Sequence, residues 1–130
     1  MKGYFQAPSA PSRLTLSTCT VDIDTTPNSV IVTVTGEVDT ADADRVGEVL
    51  AGVAAKGRPI VRVDLGGLTF ADSSAVKAII IGARAAEARG FAYELVNPHG
   101  SIRRLLGVTG LADALTIVDE PEFQTGLDPL

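Results

Sequence analysis

Tryptophan is absent from the chain, and aromatic residues together make up only 5% of it. A platform for stacking nucleic-acid bases therefore has little to be built from. Positive charge is also in deficit, with 11 Lys and Arg against 16 Asp and Glu and a net charge of −5, which argues against binding a phosphate backbone. The single cysteine, Cys19, allows neither an internal disulfide nor a thiolate metal cage, and suits a reducing compartment. His99 is the only histidine and has no close Cys or His neighbour, so neither a metal nor any other cofactor is expected. No apolar run approaches the roughly 18 residues needed to cross a bilayer. The opening residues MKGYFQAPSAPS lack the apolar core of a secretory signal. A cytoplasmic protein that neither inserts in a membrane nor binds nucleic acid is expected.

The common catalytic signatures are missing too. There is no G-x-S-x-G elbow, no G-x-x-x-x-G-K-[ST] loop and no G-x-G-x-x-G. Gly66-Gly67 reads as turn backbone rather than a nucleotide cradle. His99 follows a different strand from the one that leads to the serines at 73 and 74, which disfavours a Ser-His pair. Asp64 near a strand end raises the idea of a phospho-acceptor aspartate, with Glu37 and Asp39 as an acidic pair. That chemistry wants a lysine after a later strand, and none follows 93–96 or 114–118. The expectation is a protein that is not an enzyme.

What the chain has is an ordinary globular balance, 45% hydrophobic and 21% charged over 130 residues, enough for one core. Residues 1–13, with two prolines and small polar residues, read as a loose N-terminal arm or a partly added edge segment, and 14–130 as a single domain. Leu14 to Asp24 alternates weakly as a first strand, and Thr25 to Ser29 is turn chemistry. Val30 to Thr35 alternates cleanly, with Val30, Val32 and Val34 on one face, and completes an antiparallel hairpin. Thr40 is a candidate helix cap with Asp42 and Asp44 in the first turn; Val46, Val49, Leu50 and Val53 form the buried stripe, and Gly57 and Pro59 end the helix. Tyr93–Val96 reads as a strand. Asn97 and Pro98 read as a helix start, and Ile102, Leu105 and Leu106 as that helix's apolar side, ended by Gly107 to Gly110. A last strand over 114–118 and a short helix over 119–125 complete the chain.

The organising stretch is 59–90. Ile60 to Leu65 is a buried strand, Gly66 to Ala71 a turn with one aromatic, and Asp72-Ser73-Ser74 opens a helix that ends near Gly90. On that helix Val76, Ile79, Ile80, Ala83 and Ala86 gather on the side that should face the sheet, with Lys77, Arg84 and Ala88 opposite. Ile81 falls between the two cations and should be exposed, either as a lone surface apolar residue or as part of a partner-binding patch. By spacing alone, Asp72-Ser73-Ser74 is an ordinary helix cap. Two hydroxyls at the positive end of a helix are nonetheless a place that tolerates an added phosphate, and spacing does not separate Ser73 from Ser74.

Three segments, in this order and spacing, add more. Thr35-Gly36-Glu37-Val38-Asp39 is similar to a T-G-E-[LV]-D motif. Val63 to Ser74 is similar to D-L-x-x-[LV]-x-[FY]-x-D-S-S, and Leu106 to Leu111 to L-x-x-[ST]-G-L. Through them the chain from about Ser29 to Thr125 resembles the STAS domain, and in particular the bacterial anti-sigma factor antagonists. The resemblance implies a STAS fold: α/β, a mixed central sheet opening with a β-hairpin and layered with about four helices. It implies phosphorylation of Ser74, the second serine of D-S-S, in preference to Ser73. It implies partner switching as well. The unphosphorylated protein binds an anti-sigma factor that is also a serine kinase, is released once phosphorylated, and is reset by a PP2C-type phosphatase. The expected partner surface comprises Gly36, Glu37, Asp39, Asp72, Ser73, Ser74, Lys77 and Ile81. The family follows D-S-S with Gly-Leu-Gly, whereas this chain has Ala75-Val76-Lys77. The alanine stiffens the first turn, and Lys77 adds a cation able to pair with a phosphate. The alternative is a STAS interaction module of another assembly, a stress-sensing scaffold or a lipid-transport complex, without serine phosphorylation.

Overall fold

Alternation along the valine-rich segments dictates the sheet. A computed structural model of the protein describes residues 12–120. Strands β2 (Cys19–Thr25) and β3 (Ser29–Val38) form the antiparallel hairpin, with Val21 opposite Val34 and Thr25 opposite Val30. Strand β4 (Ile60–Asp64) joins β3 in parallel, β6 (Ala92–Val96) joins β4, and β7 (Thr116–Val118) joins β6. Val30, Val32, Val61, Val63 and Leu95 are buried on a single face because every second side chain points the same way. Helices α1 (Thr40–Val53) and α2 (Ser73–Glu87) contribute Val46, Leu50, Ala75, Ala78 and Ile79 to the same core. The other face is polar, and there Arg62 bridges Glu94 at 2.9 Å and also meets Glu120.

Several expectations needed correction. The first strand is two: β1 (Ser12–Thr15) pairs with β2 across a tight turn closed by Leu16 N–H donating to Cys19 O. The sheet therefore starts at Ser12, inside the span read as an arm, while residues 1–11 lie outside the described residues. Leu68–Ala71, read as part of a turn, is strand β5, which lies parallel to the end of β3 beyond β4. Its short length and the exposure of Thr69 and Phe70 hide it from a periodicity argument. Asn97 does not cap a helix. It takes φ +56°, its side-chain oxygen accepts from Glu120 N–H at 2.6 Å, and helix α3 (Gly100–Val108) starts after His99. Gly110, at φ +81°, opens a one-turn helix α4 (Leu111–Ala114), so Ala114 is helical and β7 begins at Thr116. Asp119 and Glu120 belong to no helix and pair with Arg103 and Arg62 instead; 121–125 fall outside the described residues.

The seam between α1 and α2 is tight. Ile79, Ala78 and Gly82 are buried, and the Tyr93 hydroxyl reaches under α2 to donate to Ile79 O at 2.9 Å. A Cβ on Gly82 would stand 2.7 Å from that hydroxyl oxygen and 2.8 Å from Leu50 Cβ. Gly82→Ala gains up to about 1 kcal/mol of helix propensity. The overpacking costs about 1–3 kcal/mol, and Leu50 Cβ is too close to its backbone to yield. A net loss of up to about 2 kcal/mol, readable as a lower urea midpoint, is expected; a variant more stable than wild type would show that the helices slide apart freely.

Among the described residues, no helix is long and apolar enough to cross a membrane, and no group of three or more His, Cys, Asp or Glu could hold a metal ion.

Candidate functional site

Two strand ends and two helix starts meet at one edge of the molecule. Parallel pairing sets Glu37 opposite Phe70 and Val38 opposite Ala71, so the chain leaves β3 and β5 side by side into α1 and α2. Asp39, not Thr40, caps α1, its carboxylate accepting from Ala41 N–H at 3.1 Å. Thr40 instead spans the gap, its hydroxyl donating to the Asp72 carboxylate at 3.3 Å.

Asp72 caps α2. Its carboxylate accepts from Ser74 N–H at 2.9 Å and from the Ser74 hydroxyl through the same oxygen. Those bonds, led by the Ser74 hydroxyl and joined by backbone N–H groups and Thr40, hold the carboxyl below the usual carboxylate range against a smaller opposing effect of burial. The Ser74 hydroxyl is thus half-buried and held by an anion. Ser73 is exposed beside it, with no side-chain bond to Asp72 among the contacts that fix Ser74.

Gly36 shapes the approach to this site. It takes φ +97°, where an L side chain is strained, and a Cβ there would stand 2.6 Å from Thr18 O. Thr18 packs against this glycine, accepting Glu37 N–H at 2.9 Å and donating its hydroxyl to Glu37 O at 2.9 Å. The Thr69 hydroxyl donates to Gly36 O from the other side at 3.0 Å.

Gly36, Glu37, Asp39, Asp72, Ser73 and Ser74 therefore converge on one acidic rim. Lys77 lies exposed one turn along α2 from the serines, and Ile81 a further turn on. Ile81 is 47% exposed, as its place between the cations required, and its tip rests over Gly47 of α1. Sequence reasoning missed Phe70, 45% exposed and opposite Glu37, and the Thr40 bridge. Recognising β5 would have exposed Phe70. No local pattern signals the bridge, because it joins residues 32 positions apart.

Other reactive groups stand apart. Burial, then the nearby Asp42 charge, pushes the Cys19 thiol up to about 11, which leaves it a poor nucleophile. The His99 ring contacts Gly66 O at 2.9 Å, and Asp64 closes the β4–β5 turn by accepting from Gly66 N–H.

The family model of the STAS domain matches residues 20–123. Solved structures are similar in fold. The anti-sigma factor antagonist SpoIIAA in its unphosphorylated form has a TM-score of 0.68 at 21% identity, over 78% of this chain and 89% of that one. An anti-sigma factor antagonist from Mycobacterium paratuberculosis gives 0.67 at 20%, over 88% and 90%. The Bacillus cell fate determinant SpoIIAA in the phosphorylated form gives 0.64 at 22%, over 78% and 92%. No curated protein matches the chain significantly.

Proposed function

The chain belongs to the STAS domain family, and on that premise we propose that it is an anti-sigma factor antagonist switched by phosphorylation of Ser74. Unphosphorylated, it binds an anti-sigma factor with serine kinase activity in the cytoplasm and so frees a sigma factor for transcription. The kinase then transfers the ATP γ-phosphoryl group to the Ser74 oxygen, whose proton is lost, and ADP leaves. The modified antagonist is released, and a PP2C-type phosphatase hydrolyses the phosphate to reset it. The chain itself is a regulator and a substrate, not a catalyst.

The observation that carries this reading is the Ser74 hydroxyl, held by Asp72 at the N-terminus of α2 on the rim formed with Glu37 and Asp39. A phosphate there brings about −1.5 to −2 charges, which the helix N-terminus accommodates. The same charge lands beside carboxylates, where it repels an acidic or desolvated partner contact. Likeness in fold to an antagonist solved in both unphosphorylated and phosphorylated forms supports the reading.

The test is incubation with the kinase-type anti-sigma factor of the same genome and ATP, followed by intact mass and peptide mapping. One phosphate on Ser74 is expected, and Ser74→Ala abolishes it. Stable binding without any phosphate would favour a non-phosphorylated STAS scaffold instead.

A further inference from the structure

Asp42 is the one charged side chain buried among the described residues, 5% exposed in the first turn of α1. A carboxylate is removed from water at such a position only when donors replace the water it loses. The donors come from the β1–β2 turn and the start of β2, with the Cys19 side chain also within hydrogen-bond reach. Ser17 donates its hydroxyl at 2.6 Å and Thr18 its backbone N–H at 3.0 Å, while the single hydrogen of the Thr18 hydroxyl, 3.2 Å from Asp42 and 2.9 Å from Glu37 O, is shared between the two. These bonds, the Ser17 hydroxyl foremost, hold the Asp42 carboxyl below its ordinary range.

The turn that Asp42 grips is the one that touches the rim. Thr18 exchanges two hydrogen bonds with Glu37, and Thr18 O packs where a Gly36 side chain would be. A bulge in the β3–β5 pairing falls between Gly36 and Glu37, so that ladder alone does not fix the direction in which β3 ends. α1 already has its cap in Asp39, so Asp42 is not needed to start the helix. Ser17 and Thr18 are themselves exposed.

We propose that Asp42 is a positioning residue that fixes Glu37 through Thr18, and that the turn Leu16–Thr18 forms the outer lip of the partner-binding rim. This rests on the antagonist reading above for what the rim binds. Asp42 touches no partner; it sets the angle at which Glu37 is presented, and it ties strand β1 to the site by the same bonds.

The experiment uses the full chain, with Asp42→Asn and Thr18→Val. Thr18→Val keeps the backbone N–H bond to Asp42 and guards against an Asp42 variant that fails to fold. Amide hydrogen exchange at Glu37 is expected to rise about tenfold in both, with Ser74 amide exchange unchanged. Phosphorylation by the kinase is expected to show a KM about tenfold higher with kcat unchanged, because the Ser74–Asp72 pair is untouched. Wild-type Glu37 exchange in both variants overturns the proposal, as does raised exchange with an unaltered KM. If the wild type is not phosphorylated at all, the antagonist reading fails, and Glu37 exchange alone decides whether Asp42 positions the rim.

Discussion

Ser74→Asp is expected to bind the anti-sigma partner on the order of 100-fold more weakly than wild type. The substitution replaces a hydroxyl that donates to Asp72 with a second carboxylate at the same spot. Glu37, exposed, and Asp39 stand on the same rim, so an acidic or desolvated partner contact on this surface meets a larger negative field. Like charges brought together at a desolvated contact cost several kcal/mol, which outweighs any single lost hydrogen bond. The fold has no comparable reason to fail. Negative charge near a helix N-terminus is favourable by about 0.3–1 kcal/mol, which offsets repulsion from Asp72. Far-UV circular dichroism and the urea midpoint should stay close to wild type. Ser74→Ala is the control: it loses the same bond without adding charge, and affinity should stay within about tenfold. Equal binding by Ser74→Asp and Ser74→Ala would show that charge is not the signal.

Gly36→Ala is expected to destabilise the protein by about 2–4 kcal/mol. The strain of a left-handed backbone on an L residue supplies about 1–2 kcal/mol of this. The remainder comes from a Cβ aimed at Thr18 O at 2.6 Å, a backbone atom that shifts only if the Leu16–Thr18 turn shifts with it. Because the same turn fixes Glu37, partner affinity should fall together with stability. Chemical denaturation measures the first effect and titration calorimetry the second. A variant of wild-type stability would mean that the turn swings out at no cost, contrary to its bonds to Asp42.

The sheet was legible where apolar side chains recur at every second residue. Val30, Val32 and Val34 announce β3, and Ile60 to Leu65 announce β4, because burial on one face leaves the pattern in the sequence. The helices were legible through their apolar spacing, and Ile81 was placed on the surface by its angle alone. What escaped was set by contacts distant in sequence. Thr40 reads as a cap, yet Asp39 wins because an extended carboxylate reaches Ala41 N–H, which frees Thr40 to bridge to Asp72. Asp42 reads only as a first-turn acid of the helix; the return of the β1–β2 turn supplies the donors that let it go under. Asn97 and Pro98 carry strong helix-start chemistry, and the chain overrides it because Asn97 is drawn to Glu120 N–H after β7. Gly107 to Gly110 reads as a plain stop, whereas Gly110 bends the chain straight into another helical turn.

The central claim is that one hydroxyl at the start of α2 decides whether the rim holds its partner. The most direct measurement is a calorimetric titration of the anti-sigma factor with two preparations of this protein, unmodified and phosphorylated only at Ser74. The account predicts a saturable binding isotherm for the first and an affinity on the order of 100-fold lower for the second. Matching isotherms for the two preparations would contradict it.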